Sequence, residues 1–212
     1  MPLAKPVRVA AQALNDGVPD ARERILAAAR RSFATVGFDG AATRQIAAEA
    51  GVAQSLLLYH FGSKDALWRA VMDQLFEGLA SRMAEAARAS QGGNVRQRLL
   101  AAIGAFIALC AENADIHRIM TIEGRQASPR LTWLVERHLR ANHAYATGLI
   151  QEGQASGLIR PGDPTLLYYS FIAIAGTAFS LAPEIALVSQ SPKVVDPVAI
   201  EALIAALLFL EG

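Results

Sequence analysis

The sequence predicts an all-α protein, on three observations. No stretch sustains the period-2 alternation that marks a strand with one buried face. Apolar residues recur instead at three- and four-residue intervals along most of the chain. Helix punctuation is dense: Ser128-Pro129, Asp163-Pro164 and Asp196-Pro197 each place a capping side chain before a proline that fits the first helical turn. Read in order, these signals give about nine helices.

Residues 1–18 carry Pro2, Pro6 and Gly17 with no sustained period, and read as a flexible N-terminal arm whose Lys5 and Arg8 are candidates for a phosphate or a minor groove. Asp20 caps a first helix with Ile25, Ala29 and Phe33 on one face, ending at Gly37. Residues 43–62, TRQIAAEAGVAQSLLLYHFG, read as helix, glycine turn, helix. Ile46 and Ala47 face inward, Gly51 leaves the helix through a left-handed conformation, and Leu57 continues the buried pattern. Such a helix-turn-helix can insert its second helix in a DNA major groove. Ser63 caps a long fourth helix with a stripe of Leu67, Val71, Leu75, Leu79 and Met83, closed by Gly92-Gly93. Leu99, Ile103, Phe106 and Cys110 mark a fifth helix, and a short sixth runs from about Ala114 to Gln126. The seventh starts after Ser128 and ends near Gly157; the eighth and ninth start after Asp163 and Asp196, joined by a connection from Pro183 to Val195.

Composition bounds the partners. The 212 residues are 53% apolar and 18% charged, enough to fill a core and leave apolar surface for another subunit. Net charge is +1, so charge alone does not announce a nucleic-acid binder; residues 1–65 hold eight Lys/Arg against six Asp/Glu. A lone Cys110 excludes an intramolecular disulfide and reads as a buried small hydrophobe, in keeping with a reducing cytoplasm. The N-terminus has no apolar signal core, and the charge-free run of 17 residues from Leu166 to Ala182 reads as a buried or intersubunit helix rather than a membrane span. No catalytic residues, metal site or cofactor are expected. His138 and His143 do not share a helical face, and neither a glycine-rich phosphate loop after a strand nor a serine elbow occurs.

From Ile25 to Val71 the spacing is specific: Phe33, Gly37-Phe38, Ile46-Ala47, Gly51-Val52, Tyr59-His60-Phe61 and Ser63-Lys64. In this segment the chain resembles the tetracycline-repressor (TetR) family of one-component transcriptional regulators. The resemblance implies a three-helix DNA-binding head over residues 19–66 and a six-helix effector-binding and dimerisation body over 67–212. It also implies a homodimer on a palindromic double-stranded operator, released by a small-molecule effector, with repression the usual output. Positions matching the family's DNA-facing residues are Thr43, Arg44, Gln54, Ser55, Leu58, Tyr59, His60 and Lys64. Gln54 suits a bidentate contact with adenine, Leu58 a thymine methyl, and Lys64 a phosphate at a helix N-terminus. Ala53 departs from the hydroxyl usual at that cap, Ala41 and Ala42 lack hydroxyls before the second helix, and Leu56 and Leu58 replace Thr and Tyr. Fewer polar base contacts and a salt-sensitive, phosphate-led affinity follow.

Inward faces of the fifth to eighth helices offer Phe106, Cys110, His117, Met120, Trp133, Tyr168 and Ile172 as candidate effector-pocket residues, with His117, Glu123 and Arg125 as added polar candidates. The last two helices carry apolar residues around too much of their circumference for one buried face. Phe171, Ala175, Gly176 and Phe179, with Ile200, Leu203, Ile204 and Leu207, are expected to pair with their two-fold copies in a four-helix bundle. The alternative is an all-α small-molecule or lipid-binding protein without DNA activity.

Overall fold

The computed structural model describes residues 20–191 and 195–210, and these form ten helices with no strand. The N-terminal arm, with Lys5 and Arg8, lies outside the described residues. Helix α1 spans Ala21–Gly40, with the Asp20 carboxylate accepting from Glu23 N–H at 2.7 Å and a break at Gly37 (φ 71°). Helices α2 (Thr43–Glu49) and α3 (Gln54–Phe61) follow, then α4 (Lys64–Ala89), capped by Ser63. Helix α5 is Val95–Glu112, started by a reciprocal Asn94–Gln97 capping box, and α6 is Asp115–Glu123. Helix α7 runs from 129 to 155, with Ser128 as cap and a π turn at Val135–Leu139. Helices α8 (Pro164–Ser180), α9 (Ala182–Ser189) and α10 (Pro197–Leu208) complete the chain.

The count exceeds the expected nine because α9 occupies part of the connection foreseen between Pro183 and Val195. The backbone bends at Leu181 (ψ 14°), and Pro183 then sits in a first turn, where its missing N–H costs nothing. The bend between α8 and α9 is 76°, and among the described residues no single helix is long and apolar enough to cross a membrane.

Two apolar cores form. The first joins Ile25, Phe33, Ile46, Leu57 and Trp68 of α1–α4 to Leu109, Ile116, Ile119 and Leu134 of α5, α6 and α7. The head therefore shares its core with the body, and α4 passes through the expected boundary at 66 without interruption. The second core joins α5, α7, α8 and α10, and Arg160 N–H to Leu208 C=O (3.1 Å) ties the end of α10 to the α7–α8 loop.

This second core corrects the expected intersubunit face. Phe171, Ala175, Ile200 and Ile204 are buried within one chain, against Leu99, Ile103, Ile107 and Ile150, where each large side chain contributes about 2 kcal/mol to the single subunit. Phe179 packs half-buried on the same core. Gly176 is also internal: a Cβ built there would overlap the His117 ring of α6, so only glycine lets α6 and α8 approach this closely. What stays open is Leu203 (50% exposed) and Leu207 (46%) among Ala199, Ala202 and Ala206 of α10, beside Leu166, Tyr169, Ala173 and Thr177 of α8.

Candidate nucleic-acid interface and body cavity

Burial of Ile46, Ala47 and Leu57 sets the crossing of α2 and α3. Gly51 (φ 66°) closes α2, and Val52 N–H reaches Ala47 C=O at 3.0 Å. Helix α3 then turns Gln54, Ser55, Leu58, Tyr59 and His60 outward, with Tyr59 84% exposed and Leu56 and Leu58 also at the surface. Arg44 is exposed at the start of α2, while Thr43 is half-buried. Neither Ala42 nor Ala53 caps its helix with a side chain. Gln54 Nε2 instead donates to Thr43 Oγ1 at 3.0 Å, bracing one helix start against the other. A bidentate contact from Gln54 to adenine uses Oε1 and one Nε2 hydrogen, which leaves the second hydrogen free to stay on Thr43.

Lys64 does not present the free cation expected of it. Its ammonium donates to the carbonyls of Phe38 (2.9 Å), Ala41 (3.0 Å) and Asp39 (3.5 Å), which accounts for all three of its protons. It also lies 4.5 Å from the Phe38 ring centre. The carbonyls of the α1–α2 turn are thus gathered by a side chain of α4.

The body encloses a cavity of about 650 Å³, within the range of ligand sites. Of the expected pocket residues, Phe106, His117, Met120, Tyr168 and Ile172 line it. Cys110 and Trp133 do not. Cys110 is fully buried, and burial pushes its thiol up to about 12. Trp133 packs on Trp68 with centroids 5.9 Å apart, under Arg69. Glu123 and Arg125 are absent from the walls as well.

Sequence reasoning missed Thr121, Asn142, His143, Tyr145 and Tyr169. The signal for the α7 members was the stripe Leu131, Val135, Leu139, Asn142, Ala146, which turns polar at Asn142 where an ordinary core stripe stays apolar. His143 Nε2 lies 3.2 Å from Thr165 Oγ1, and its ring packs edge-on to Tyr168. Burial pushes the Tyr168 phenol up to about 12, aided by Tyr169, so it stays neutral. His117 Nδ1 is 3.2 Å from Ser180 Oγ, and burial lowers its pKa.

Helix α6 connects cavity and head. Ile116, His117, Met120 and Thr121 face the cavity, while Ile122 Cγ2 is 3.0 Å from where a Gly37 Cβ would stand. Arg30 of α1 pairs with Asp115 at 3.3 Å. At the end of α6, buried Glu123 binds Arg130 (3.2 Å) and accepts from Ser128 (2.8 Å), and the Arg130 guanidinium covers Phe38.

Residues 25–71 match the profile of bacterial regulatory proteins of the tetR family. The chain is 30% identical over 168 residues to the HTH-type transcriptional regulator RutR of Escherichia coli, an alignment covering 77% of this chain and 76% of that protein. It is 30% identical over 158 residues to the HTH-type transcriptional regulatory protein RaaS of Mycobacterium tuberculosis, covering 74% and 68%. Among solved structures, the ketosteroid transcriptional regulator KstR2 of Mycobacterium tuberculosis superposes with a TM-score of 0.73 over 92% of this chain and 97% of that one, at 19% identity, a likeness of fold.

Proposed function

The chain belongs to the TetR family of bacterial regulatory proteins, and on that premise we propose that it is an effector-responsive repressor. It is a helix-turn-helix transcriptional regulator and not an enzyme. In the reading proposed, a cytoplasmic homodimer occupies a palindromic operator with one α3 in each of two successive major grooves. Arg44, Gln54, Ser55, Leu58, Tyr59 and His60 read or brace the DNA. The open face of α8 and α10, centred on Leu203 and Leu207, carries the two-fold contact.

The observation that carries the reading is the double duty of α6, which walls the cavity on one side and touches α1 on the other. A molecule that fills the cavity and displaces α6 shifts α1, and α2 and α3 rest on α1 through the shared core. The bound form then favours a head separation that does not match the grooves, and the operator is released by population shift.

Fluorescence anisotropy on promoter fragments, with footprinting, tests this. The expected result is saturable binding with two protected half-sites about one helical turn apart, lost when effector is added. Absence of binding to any fragment, with and without cell-extracted small molecules, favours an all-α small-molecule or lipid binder instead.

A further inference from the structure

Resting on the reading of the cavity as the effector site, we propose that the effector is an uncharged, mostly apolar molecule with a hydrogen-bonding group at one end, and that carboxylate and alkylammonium amphiphiles are refused. Among the described residues, none of the groups lining the cavity is Asp, Glu, Lys or Arg. The charged residues of α6 and α7 are engaged elsewhere: Glu123 with Arg130, Asp115 with Arg30 and Arg118, Arg137 with Asp73, Glu136 with Arg140, and Glu152 with Arg98. An ion entering such a space loses its hydration and meets no opposite charge to replace it.

His117 does not restore that charge: burial favours its neutral form, and its Nδ1 lies 3.2 Å from Ser180 Oγ. His143 is held by Thr165, whose hydroxyl lies 3.2 Å from its Nε2. Aromatic faces attract cations, but more weakly than water solvates them. The apolar walls, Phe76, Leu79, Met83, Leu99, Phe106 and Phe171, set the bulk of the molecule. Its polar end is set by Asn142, His143 and Tyr168, which supply both donors and acceptors. His143 and Tyr168 sit together there, with ring centroids 5.1 Å apart.

The test uses two fluorescent probes that differ by one sulfonate, neutral N-phenylnaphthylamine and anionic anilinonaphthalene sulfonate. They are titrated into the full chain at pH 8, where an imidazole of ordinary pKa, about 6.5, is neutral. Dodecanol, dodecanoate and dodecyltrimethylammonium then compete below their micellar concentrations. The neutral probe is expected to bind at least about 10-fold tighter, a difference of about 1.4 kcal/mol, and only dodecanol displaces it. Ala173→Trp, at the exposed rim, and Ile172→Trp, inside, locate the site, with melting curves confirming the fold.

The proposal is overturned if the neutral probe fails to bind, or if Ala173→Trp does not weaken it. It is equally overturned if the sulfonate or either dodecyl ion competes as well as its neutral counterpart at the site those variants block. Operator anisotropy in the same titrations separates the two readings. A neutral molecule held in the cavity without DNA release overturns the effector role and leaves the charge preference standing. An ion that enters and releases DNA does the reverse.

Discussion

The guanidinium of Arg130, in the body, lies 3.9 Å from the ring centre of Phe38, in the head. The same Arg130 neutralises Glu123, whose side chain is almost wholly buried, so one residue joins the end of α6 to the α1–α2 turn. Arg130→Met keeps the contact with the ring but leaves the Glu123 carboxylate with Ser128 alone. A loss of about 2–3 kcal/mol in urea unfolding is expected, part of it recovered in the double variant with Glu123→Gln. Two strictly additive losses would mean that the pair is not coupled.

Lys64→Met removes the donor that gathers the carbonyls of Phe38, Asp39 and Ala41. We expect a lower melting temperature and weaker operator binding, but an unchanged slope of log affinity against log salt. A phosphate contact predicts otherwise, since losing it lowers that slope by about 1. The slope decides between the two.

Gly176→Ala forces a methyl into the His117 ring. Overpacking of this kind costs about 1–3 kcal/mol, visible as a fall in the melting temperature. Gly148→Ala is the control: it lies exposed on α7 with nothing within 4 Å of the added carbon, and should be neutral or stabilising by up to about 1 kcal/mol. Equal behaviour of the two variants would show that the α6–α8 crossing has slack.

Leu203→Asp with Leu207→Asp places charges on the open face of α10 without touching the core. Light scattering should report a monomer with wild-type helicity and lost operator binding. Ile204→Asp, one position along and buried, should instead unfold the body. A dimer that survives the double substitution locates the two-fold contact elsewhere.

Burial depresses the pKa of His117, so the unfolded chain takes up this proton at a higher pH than the folded one. The neutral ring's contribution is therefore full above about pH 6.5, the ordinary imidazole value, and is lost as pH falls below it towards the folded pKa. Unfolding free energies measured from pH 7.5 down to 5.5 should decline, and decline less in His117→Gln. Identical slopes for both proteins would contradict the assignment.

The helices were legible because their signals are local: caps at Asp20, Ser63, Ser128, Asp163 and Asp196 all hold in the structure. The turn at Gly51 and the inward Leu57 followed from spacing alone. What escaped was decided between distant segments. Lys64 carries the mark of an anion-binding helix start, and only its carbonyl partners, 23 to 26 residues upstream, show where the charge goes. The apolar excess on α8 and α10 looked like subunit contact, yet α5 and α7 cover Phe171, Ala175, Ile200 and Ile204 within one chain. Helix α9 was hidden because a proline in a first turn and a proline in a loop look alike in sequence. The cavity's polar end went unseen because the polar break in the α7 stripe at Asn142 gains its meaning only beside Tyr168 of α8, which packs on His143 from a distant segment.

Tyr169 and Ala173 lie on the cavity rim and, at the same time, on the open stripe of α8. An arriving molecule and an arriving subunit would then use one doorway. Entry would be quickest into separated chains and slowest once they have joined, while a molecule already inside would be shut in by assembly. Its rate of escape would fall as the protein becomes more concentrated, so the duration of a response would be set by the abundance of the regulator as well as by how tightly the signal binds.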